Sequence, residues 1–299
     1  MTRQRTERRY ILAGQAVQAP AVAPGLHLVA TPIGNLRDIG IRALETLAGA
    51  DVIACEDSRV TRKLLDHYGI ATPLTPYHEH NAASARPKLL ARLGAGESVA
   101  LVSDAGTPLI SDPGYKLVRE TREQGHAVSA IPGASSVLAA LAGAGLPTDR
   151  FFFEGFLPAK TSQRQSRIID LARIPATLVL FESGPRLAES LSDLAAGLGD
   201  REAAVCRELT KLHEEFRRGA LSALAQDYAA GAETRGEIVI VIAPPQQRDA
   251  ALAAVELDAM IEAALSYQSV KDAASEIANV TGLPRRDIYQ RALQLAKEK

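Results

Sequence analysis

The chain has little cysteine and no tryptophan: Cys55 and Cys206 are its only cysteines among 299 residues. Two cysteines are too few for a disulfide framework or a thiolate metal site, so the sequence predicts a protein of the reducing cytoplasm. The formal net charge of −1 excludes binding of a polyanion by overall charge, and a nucleic-acid contact must come from a local basic face. No apolar run approaches the ~18–20 residues that span a bilayer, which predicts no membrane contact.

Several fingerprints of known sites are also missing from the sequence. The first predicted strand is not followed by the three glycines of G-x-G-x-x-G, and a P-loop, G-x-S-x-G and HExxH are absent. His78 and His80 have the spacing of two metal ligands without a third distant one, which favours a polar loop and predicts no metal. Cys55 ends an apolar strand and is more typical of a packed residue than of a nucleophile.

What the sequence does contain is a series of apolar runs that alternate with amphipathic segments. Its length is enough for about two domains. Strands are predicted at residues 25–30, 51–55, 99–102 and 127–131, and helices at 41–48, 64–68, 88–93, 115–124 and 137–144. This alternation predicts an α/β fold with a parallel, doubly wound sheet. In the second half strands and helices are mixed, which favours some antiparallel strands, and from Asp249 onward the chain is predicted to be helical.

These patterns divide the chain into four predicted segments. Residues 1–24 are expected to be a flexible arm, because Arg-rich sequence is followed by a stretch broken by Gly and Gln. An N-terminal α/β domain is predicted at residues 25–147, a C-terminal α/β domain at 148–245, and a helical extension at 249–299. The extension has the outline of a helix-turn-helix around Gly282, although a small helical cap is equally compatible.

The predicted strands of the first half end in loops of small polar residues. The loop at residues 103–108 (SDAGTP) offers a carboxylate, hydroxyls and backbone N–H groups. Ser111 or Asp112 is expected to cap the following helix, with Pro113 at its first position. One such loop alone is typical of an ordinary crossover, but several meet at the carboxyl edge of a parallel sheet, where small ligands bind. The sequence therefore predicts a ligand crevice at this edge.

Charged side chains follow three predicted strands, at residues 51–55, 177–181 and 202–206. They are Glu56, Asp57, Arg59, Arg62 and Lys63 in one loop, Glu182 and Arg186 in another, and Arg207, Glu208 and Lys211 in a third. Each loop alone is typical of a solvated surface or a surface ion pair. Together, carboxylates and guanidinium groups suit a polar, phosphate-bearing substrate.

One set of segments occurs together and in order. These are residues 30–38 (ATPIGNLRD), 55–59 (CEDSR), 77–81 (YHEHN), 103–108 (SDAGTP), 131–135 (IPGAS), 151–157 (FFFEGFL), 207–211 (RELTK) and 236–242 (GEIVIVI). From about residue 25 to 243 the chain resembles the small-subunit ribosomal RNA 2′-O-ribose (cytidine) methyltransferases of the tetrapyrrole methylase superfamily. Its helical tail is similar to the C-terminal extension of that family.

The resemblance implies two α/β domains with S-adenosylmethionine in the cleft between them, and a homodimer. The implied cofactor-binding residues are Thr31, Pro32, Gly34, Asp104, Ala105, Gly106, Thr107, Ser135, Ser136, Phe181 and Ile242. The family usually has a His before the Arg that follows Phe181, whereas this chain has Pro185 before Arg186. A role that depends on that His is therefore not expected here.

The expected chemistry is an in-line methyl transfer, in which positioning supplies most of the help and no metal is needed. A ribose 2′-hydroxyl is a poor nucleophile that a nearby base assists. Glu56, Asp57, Glu182 and Glu208 are the candidate bases, with Glu79 and His80 also open, and the sequence does not choose among them. RNA phosphates are expected to contact Arg59, Arg62, Lys63, Arg186, Arg207, Lys211, Arg285 and Arg286.

The prediction is a cytoplasmic enzyme that 2′-O-methylates a cytidine ribose in the decoding region of 16S rRNA within the small ribosomal subunit. A tetrapyrrole (precorrin-type) methyltransferase is the first alternative, because the implied fold is shared. A non-catalytic, ligand-sensing DNA-binding regulator is the second, because of the helix-turn-helix outline.

Overall fold

The structure is a computed structural model that describes residues 8–245, 250–281 and 284–297. Residues 1–7 of the predicted arm, residues 246–249, and Gly282 and Leu283 of the predicted helix-turn-helix turn lie outside the described residues, as do residues 298–299. The chain divides into one unit at residues 1–244 and a second at 245–299. Within the described residues, no helix combines the length and the apolar character that a membrane span requires.

The first half alternates strands and helices as the sequence predicts. Its strands and α-helices are β1 (Arg9–Leu12), β2 (Gln15–Gln18), β3 (Gly25–Val29), α1 (Ile41–Gly49), β4 (Val52–Cys55), α2 (Ser58–His67), β5 (Leu74–Pro76), α3 (Ala82–Gly94), β6 (Ser98–Val102), α4 (Tyr115–Glu123), β7 (Val128–Ile131) and α5 (Ser136–Ala144). Strands β3 to β7 form a parallel sheet in the order β5-β4-β6-β3-β7. The central strands β4 and β6 are buried along their whole length, as both-face coverage by helices requires.

Part of the predicted flexible arm is ordered as a hairpin, which corrects that prediction for the described residues from Arg8 onward. Strands β1 and β2 pair antiparallel, and both turn residues, Ala13 and Gly14, have positive φ angles of 51° and 79°. Positive φ at both positions is characteristic of a type I′ turn. Such turns usually contain Asn-Gly, and the Ala-Gly pair found here does not predict a hairpin. Tyr10 is 2% exposed and packs into the core of the first domain.

Two helix starts differ from their predictions. Helix α4 begins after Gly114, whose φ of 141° is open to glycine, and no side chain caps it, so Ser111 and Asp112 are not the cap. Helix α3 begins at Ala82 rather than Lys88 and contains Pro87. Proline removes a backbone donor, so the sequence favoured a start after it, but the helix accommodates Pro87 within its second turn.

The second half contains a mixed sheet and its covering helices. Its elements are β8 (Phe151–Phe156), α6 (Thr161–Ala172), β9 (Thr177–Ser183), α7 (Leu187–Leu198), β10 (Glu202–Arg207), β11 (Glu215–Ala220), α8 (Leu221–Ala229) and β12 (Glu237–Ile242). The strand order is β11-β10-β12-β9-β8, in which only β8 and β9 pair in parallel among the described strands. The expected antiparallel strands are therefore confirmed. The protein has two α/β domains, and the predicted boundary between residues 147 and 148 stays a prediction.

The two sheets are joined through helix α5. Val137, Ala140 and Leu141 on α5 share a hydrophobic cluster with strand residues of the second sheet. A Cβ at Gly143 would lie 2.3 Å from the Phe216 ring, so only glycine permits this approach. Gly145 caps the C-terminus of the helix in the left-handed conformation, with a φ of 64°. Because α5 starts where β7 ends, this packing brings the loop edge of the first sheet against the second.

The second unit is helical, as predicted. It contains α9 (Ala250–Leu265), α10 (Val270–Thr281) and α11 (Arg285–Lys297). Ile261, Ile277 and Ile288, one from each helix, are buried in a small core of their own. Arg285 and Arg286 are exposed at the start of α11. Helices α10 and α11 are consecutive, as a helix-turn-helix requires.

Candidate functional site

Loops from three strands of the first sheet meet at one edge and are bonded to one another. Thr31, after β3, donates its N–H to the carbonyl of Gly106 at 2.9 Å, and Gly106 returns a bond to the Thr31 carbonyl at 3.0 Å. Asp57, after β4, donates its N–H to Asp104 Oδ1 at 2.9 Å. The crossovers place each loop at the carboxyl end of its strand, and these bonds fix the loops as one surface.

The loop between β6 and α4 is held in an uncommon backbone conformation. Leu109 and Ser111 have φ angles of 75° and 63°, in addition to the positive angles of Gly106 and Gly114. Non-glycine residues with positive φ cost free energy and persist where the surroundings fix them, which they do most often at binding sites. Thr107 contributes to this fixation by donating its hydroxyl to the Ala134 carbonyl at 3.2 Å.

The first cavity lies between the loop edge of the first sheet and strands β9 and β12 of the second. Its volume is about 370 Å³. It is lined by Ile33, Ala105, Gly106, Thr107, Ile110, Ser111, Asp112, Ser135, Ser136, Val137, Phe156, Phe181, Glu182, Ser183, Gly236, Glu237, Ile238 and Val239. Apolar walls with a few hydroxyl groups and carboxylates are typical of a small-molecule site.

Aromatic rings form one wall of the first cavity. The Phe181 ring lies edge-on to Phe153 at 4.9 Å and to Phe156 at 5.5 Å between ring centres. These edge-to-face contacts fix the rings and present a flat apolar surface.

Burial raises the pKa of the Asp112 carboxyl. The neighbouring Asp104 raises this pKa further, and a hydrogen bond from Ser103 lowers it. A half-buried carboxylate of this kind favours a cationic partner.

A second cavity of about 310 Å³ adjoins the first. It is lined by Thr31, Pro32, Ile33, Gly34, Leu36, Val60, Thr61, Lys63, Leu64, Ser103, Asp104, Ala105, Lys211 and Glu237. Ile33, Ala105 and Glu237 line both cavities and so form the wall they share. The second cavity carries two lysines, whereas no lysine lines the first.

Lys211 connects the two domains at this wall. Its Nζ donates to Glu208 Oε1 at 2.9 Å and to Glu237 Oε2 at 3.1 Å. Burial disfavours the ammonium, but these two bonds outweigh burial and raise the pKa of Lys211. The Lys211 bond in turn lowers the pKa of Glu208. The lysine stem crosses the first loop, where a Cβ at Gly34 would lie 2.4 Å from Lys211 Cγ.

The structure divides the predicted cofactor residues between the two cavities. Gly106, Thr107, Ser135, Ser136 and Phe181 line the first, Thr31, Pro32, Gly34 and Asp104 line the second, and Ala105 lines both. Ile242 is not brought to either of them: it is buried among apolar side chains under the helices of the second domain. Along β12 the side chains alternate, and Val239 rather than Ile242 reaches the first cavity.

The predicted catalytic carboxylates are not gathered at one point. Glu56 and Asp57 line neither cavity, and Asp57 caps helix α2, where a hydrogen bond from Arg59 lowers the pKa of Asp57 to about 2. Burial raises the pKa of Glu56, and Asp104 and Asp112 raise it further. Glu208 holds Lys211 behind the shared wall.

Glu182 lines the first cavity, but its carboxylate is committed to its own domain. Its oxygens accept from Ser183 N at 2.7 Å and from Ser190 Oγ at 2.6 Å, and Arg186 lies 3.4 Å away. Three such partners hold an ionised carboxylate in a buried position. Glu182 therefore supports the loop of Ser183 rather than presenting a free oxygen to the cavity.

The predicted RNA-binding cations fall into four places. Arg59, Arg62 and Lys63 are exposed on helix α2, and Arg59 is 87% exposed while paired to Asp57. Arg186 donates to the carbonyls of residues 157 and 158, and Arg207 pairs with Glu215 at 3.1 Å, so both face partners in their own domain. Lys211 lies at the shared wall. Arg285 and Arg286 belong to the separate helical unit.

Two charged lining residues, Asp112 and Glu237, were not among the predicted site residues. The sequence suggests Asp112 as a helix cap, and Glu237 begins the strand of the GEIVIVI segment without being singled out as a site residue. The proline-glycine pair after Asp112 was the available signal, because it leaves no turn in which Asp112 could cap α4.

Both cysteines are buried, and burial raises the pKa of Cys206 to about 12, so neither thiol is activated. Among the described residues there is no group of three or more possible metal ligands.

Comparison with known proteins identifies relatives for both units. A family model described as Tetrapyrrole (Corrin/Porphyrin) Methylases matches residues 25–225, and one described as RsmI C-terminal HTH domain matches residues 251–296. The chain is 52% identical to the ribosomal RNA small subunit methyltransferase I of Mesorhizobium japonicum, over 95% of this chain and 97% of that protein. It is 42% identical to the protein of the same name from Escherichia coli O157:H7, over 90% and 94%.

Solved structures of lower identity share the fold. Diphthine synthase matches with a TM-score of 0.58 and 19% identity, over 73% of this chain and 89% of that one. A cobalt-precorrin-4 methyltransferase matches with a TM-score of 0.55 and 20% identity, over 73% and 94%. The uroporphyrin-III C-methyltransferase of Thermus thermophilus complexed with S-adenosylhomocysteine matches with a TM-score of 0.52 and 21% identity, over 73% and 97%.

Proposed function

The chain belongs to the tetrapyrrole methylase family, and we propose that it transfers a methyl group from S-adenosylmethionine to the RNA of the small ribosomal subunit. The observation that carries this function is the 52% identity, over 95% of the chain, to a protein named ribosomal RNA small subunit methyltransferase I. The protein is thus an S-adenosylmethionine-dependent rRNA methyltransferase. Both proposed reactants are compatible with the cavities between its two α/β domains.

The first cavity fits the methyl donor. S-adenosylmethionine supplies a methyl group bonded to a positively charged sulfur. The Phe156 and Phe181 rings offer the adenine an apolar wall, and Asp112 offers its carboxylate to the donor's ammonium group. The N–H groups at the start of helix α5, next to Ser135 and Ser136, suit the donor's carboxylate. Gly106 and Thr107 complete this binding site in the proposal.

The acceptor in this proposal is the 2′-hydroxyl of a cytidine in the decoding region. The segments quoted above, from ATPIGNLRD to GEIVIVI, support it because they resemble the 2′-O-ribose methyltransferases as a set. Lys63 and the neighbouring Arg59 and Arg62 form an exposed basic surface that suits RNA phosphates. We place the reaction in the cytoplasm and expect a homodimer, both on the same resemblance.

The two alternatives have less support. The corrinoid and porphyrin methyltransferases among the solved structures are about 20% identical, which reflects a shared fold, whereas the rRNA methyltransferases reach 52%. A ligand-sensing regulator would also need a cavity, but the 52% identity to a protein named as an rRNA methyltransferase, over 95% of the chain, favours the enzyme. The helix-turn-helix unit is consistent with RNA contact by Arg285 and Arg286.

The test is to incubate the protein with methyl-labelled S-adenosylmethionine and small subunits that lack the modification. Label is expected in a ribose 2′-oxygen of one cytidine of 16S rRNA, mapped by resistance of the adjacent phosphodiester to alkaline hydrolysis. Label in a tetrapyrrole alone would replace the proposal with the first alternative. Absence of transfer together with specific DNA binding would replace it with the second.

A further inference from the structure

The wall shared by the two cavities contains a single titratable side chain. Of its three residues, Ile33 and Ala105 are apolar, and Glu237 carries a carboxylate. A group on that wall is within reach of molecules on both sides of it. If a methyl donor occupies one cavity and its acceptor the other, the two reacting atoms meet beside Glu237.

Glu237 is fixed by hydrogen bonds that leave one of its carboxylate oxygens available. Its Oε2 accepts from Lys211 Nζ at 3.1 Å, and its backbone N–H donates to Glu208 Oε1 at 3.0 Å. The side chain is 71% exposed, and Oε1 has no hydrogen-bond partner among the described residues. The trio carries two carboxylates against one ammonium, so it retains negative charge. This negative charge favours transfer of a proton from the acceptor hydroxyl to Glu237 at a point next to the sulfonium cation of the donor.

The chemistry of the second cavity matches a nucleotide. Leu36, Val60 and Leu64 give it an apolar side on which a base can lie, and Lys63 gives it a cation for a phosphate. Asp104 adds a carboxylate, the acceptor type that pairs with the exocyclic amine of cytosine. Its volume of about 310 Å³ is at the lower end of the range for small-ligand sites, about 300–1,000 Å³.

We propose that the second cavity takes the target nucleotide and that Glu237 accepts the proton of its 2′-hydroxyl. The inference rests on the proposed function and deepens it. The O2′–H bond breaks and the proton moves to Glu237 Oε1. The 2′-oxygen bonds to the methyl carbon as the carbon–sulfur bond breaks, and the electron pair of that bond stays on sulfur. Glu237 then releases the proton to water.

The four carboxylates expected from the sequence are less suited to this role. Glu56 and Asp57 line neither cavity. Glu182 is buried against Ser190 and Arg186. Glu208 already accepts from Lys211 and from the backbone of Glu237, and it lines neither cavity. Lys211 acts through Glu237 and is a positioning residue.

The first test replaces Glu237 with Gln, which keeps the size and an acceptor oxygen but removes the basicity. Single-turnover methylation of unmodified small subunits is expected to fall by about 10²- to 10⁴-fold, the range for loss of a general base. Affinity for S-adenosylhomocysteine, measured by calorimetry without any reaction, is expected to stay within about twofold of the parent value. Glu237→Asp should retain part of the rate. Glu233→Gln, an exposed carboxylate that lines neither cavity and pairs with Arg235, is the matched control.

The second test fills the second cavity with Val60→Trp. The KM for the small subunit is expected to rise by about tenfold or more, with unchanged affinity for S-adenosylhomocysteine, since the donor lies in the other cavity. Ile169→Trp, on the exposed face of α6, is the control for adding a large ring.

These outcomes separate the inference from the function on which it rests. Glu237→Gln that methylates at the parent rate overturns the role of Glu237. Val60→Trp that loses S-adenosylhomocysteine binding assigns the second cavity to the donor and overturns the nucleotide subsite. In both cases the unmodified protein still methylates the subunit. Failure of the unmodified protein to do so contradicts the proposed function itself.

Discussion

Two clusters in the second domain have the same composition, one cation with two carboxylates, and differ in where they lie. Arg164 on α6 donates to Glu189 Oε1 at 2.5 Å and to Asp193 Oδ2 at 2.6 Å on α7. Lys211 contacts Glu208 and Glu237 at the shared wall of the cavities. The Arg164 side chain is 1% exposed, whereas that of Lys211 is 27% exposed.

The difference indicates what each cluster does. Arg164 is enclosed between two helices and lines neither cavity, so its ion pairs hold α6 against α7. The Lys211 cluster joins Glu208 and Lys211, in the loop between β10 and β11, to Glu237 at the start of β12, beside the first loop of the other domain. Equal chemistry therefore predicts unequal effects on stability and on methyl transfer, and variants of the two cations can test that.

Removal of Arg164 is expected to have the largest effect, on stability. Arg164→Ala leaves Asp193 largely buried without its cation, and breaking a buried ion pair from one side costs about 3–5 kcal/mol. The free energy of unfolding in urea measures this loss. At low temperature the folded fraction should bind S-adenosylhomocysteine with the parent affinity. A double change, Arg164→Met with Asp193→Leu, should recover much of the loss, since an apolar replacement of a buried pair is often neutral. Equal loss in the single and double variants would contradict the ion-pair explanation.

Removal of the Lys211 charge is expected to reverse the pattern. Lys211→Met keeps the stem over Gly34 but removes the ammonium, and a partly exposed pair contributes only about 0–1 kcal/mol to stability. Methyl transfer should fall by about 10- to 100-fold, because Glu237 loses its anchor. Donor affinity should not change. Single-turnover rates, urea unfolding and calorimetry on the same preparation give the three readouts. A Lys211→Met protein with parent rates, or one destabilised as much as Arg164→Ala, would remove the distinction between the clusters.

The same contrast explains how much of the molecule the sequence predicted. The parallel sheet follows from local rules, since buried apolar strands end in loops such as that of Thr31 and Asp104, and parallel crossovers bring these loops to one edge. The sequence does not predict strand β11, because Glu215, Arg217 and Arg218 are typical of a solvated loop. It is an edge strand, where charged residues are common.

The shared wall was less accessible to sequence reasoning. Gly34, Lys211 and Glu237 lie far apart along the chain. Lys211 and Glu237 meet because β10 pairs with β12, and they reach Gly34 where helix α5 packs against the second sheet. The RELTK and GEIVIVI segments attracted attention as motifs, but no periodicity indicates that Glu237 faces two cavities. The charged loops were expected to lie at one crevice, and the structure instead directs Arg186 and Arg207 toward partners in their own domain.

The smallest expected effect is a shared dependence on acid pH. Hydrogen bonds from Lys211 lower the pKa of Glu208, and those from Arg164 lower the pKa of Glu189, both from an ordinary value of 4.5. A carboxyl with a lower pKa in the folded state stabilises the protein above the unfolded pKa, and that contribution is lost as the pH falls through the folded pKa. The raised pKa of Lys211 has the opposite sense, so its contribution is complete below pH 10.5 and is lost only above it.

Glu208 and Glu189 should therefore keep their ion pairs at neutral pH, and both pairs should weaken below the ordinary Glu range. Urea unfolding at a series of pH values from about 7 to 3 measures this decline. Glu208→Gln and Glu189→Gln should each flatten the acid limb by a similar small amount, because each removes one depressed carboxyl, yet only Glu208→Gln should lower methyl transfer at pH 7. Acid limbs parallel to that of the parent protein would mean that the two ion pairs contribute nothing to stability. The charges would then matter only through their position relative to the two cavities.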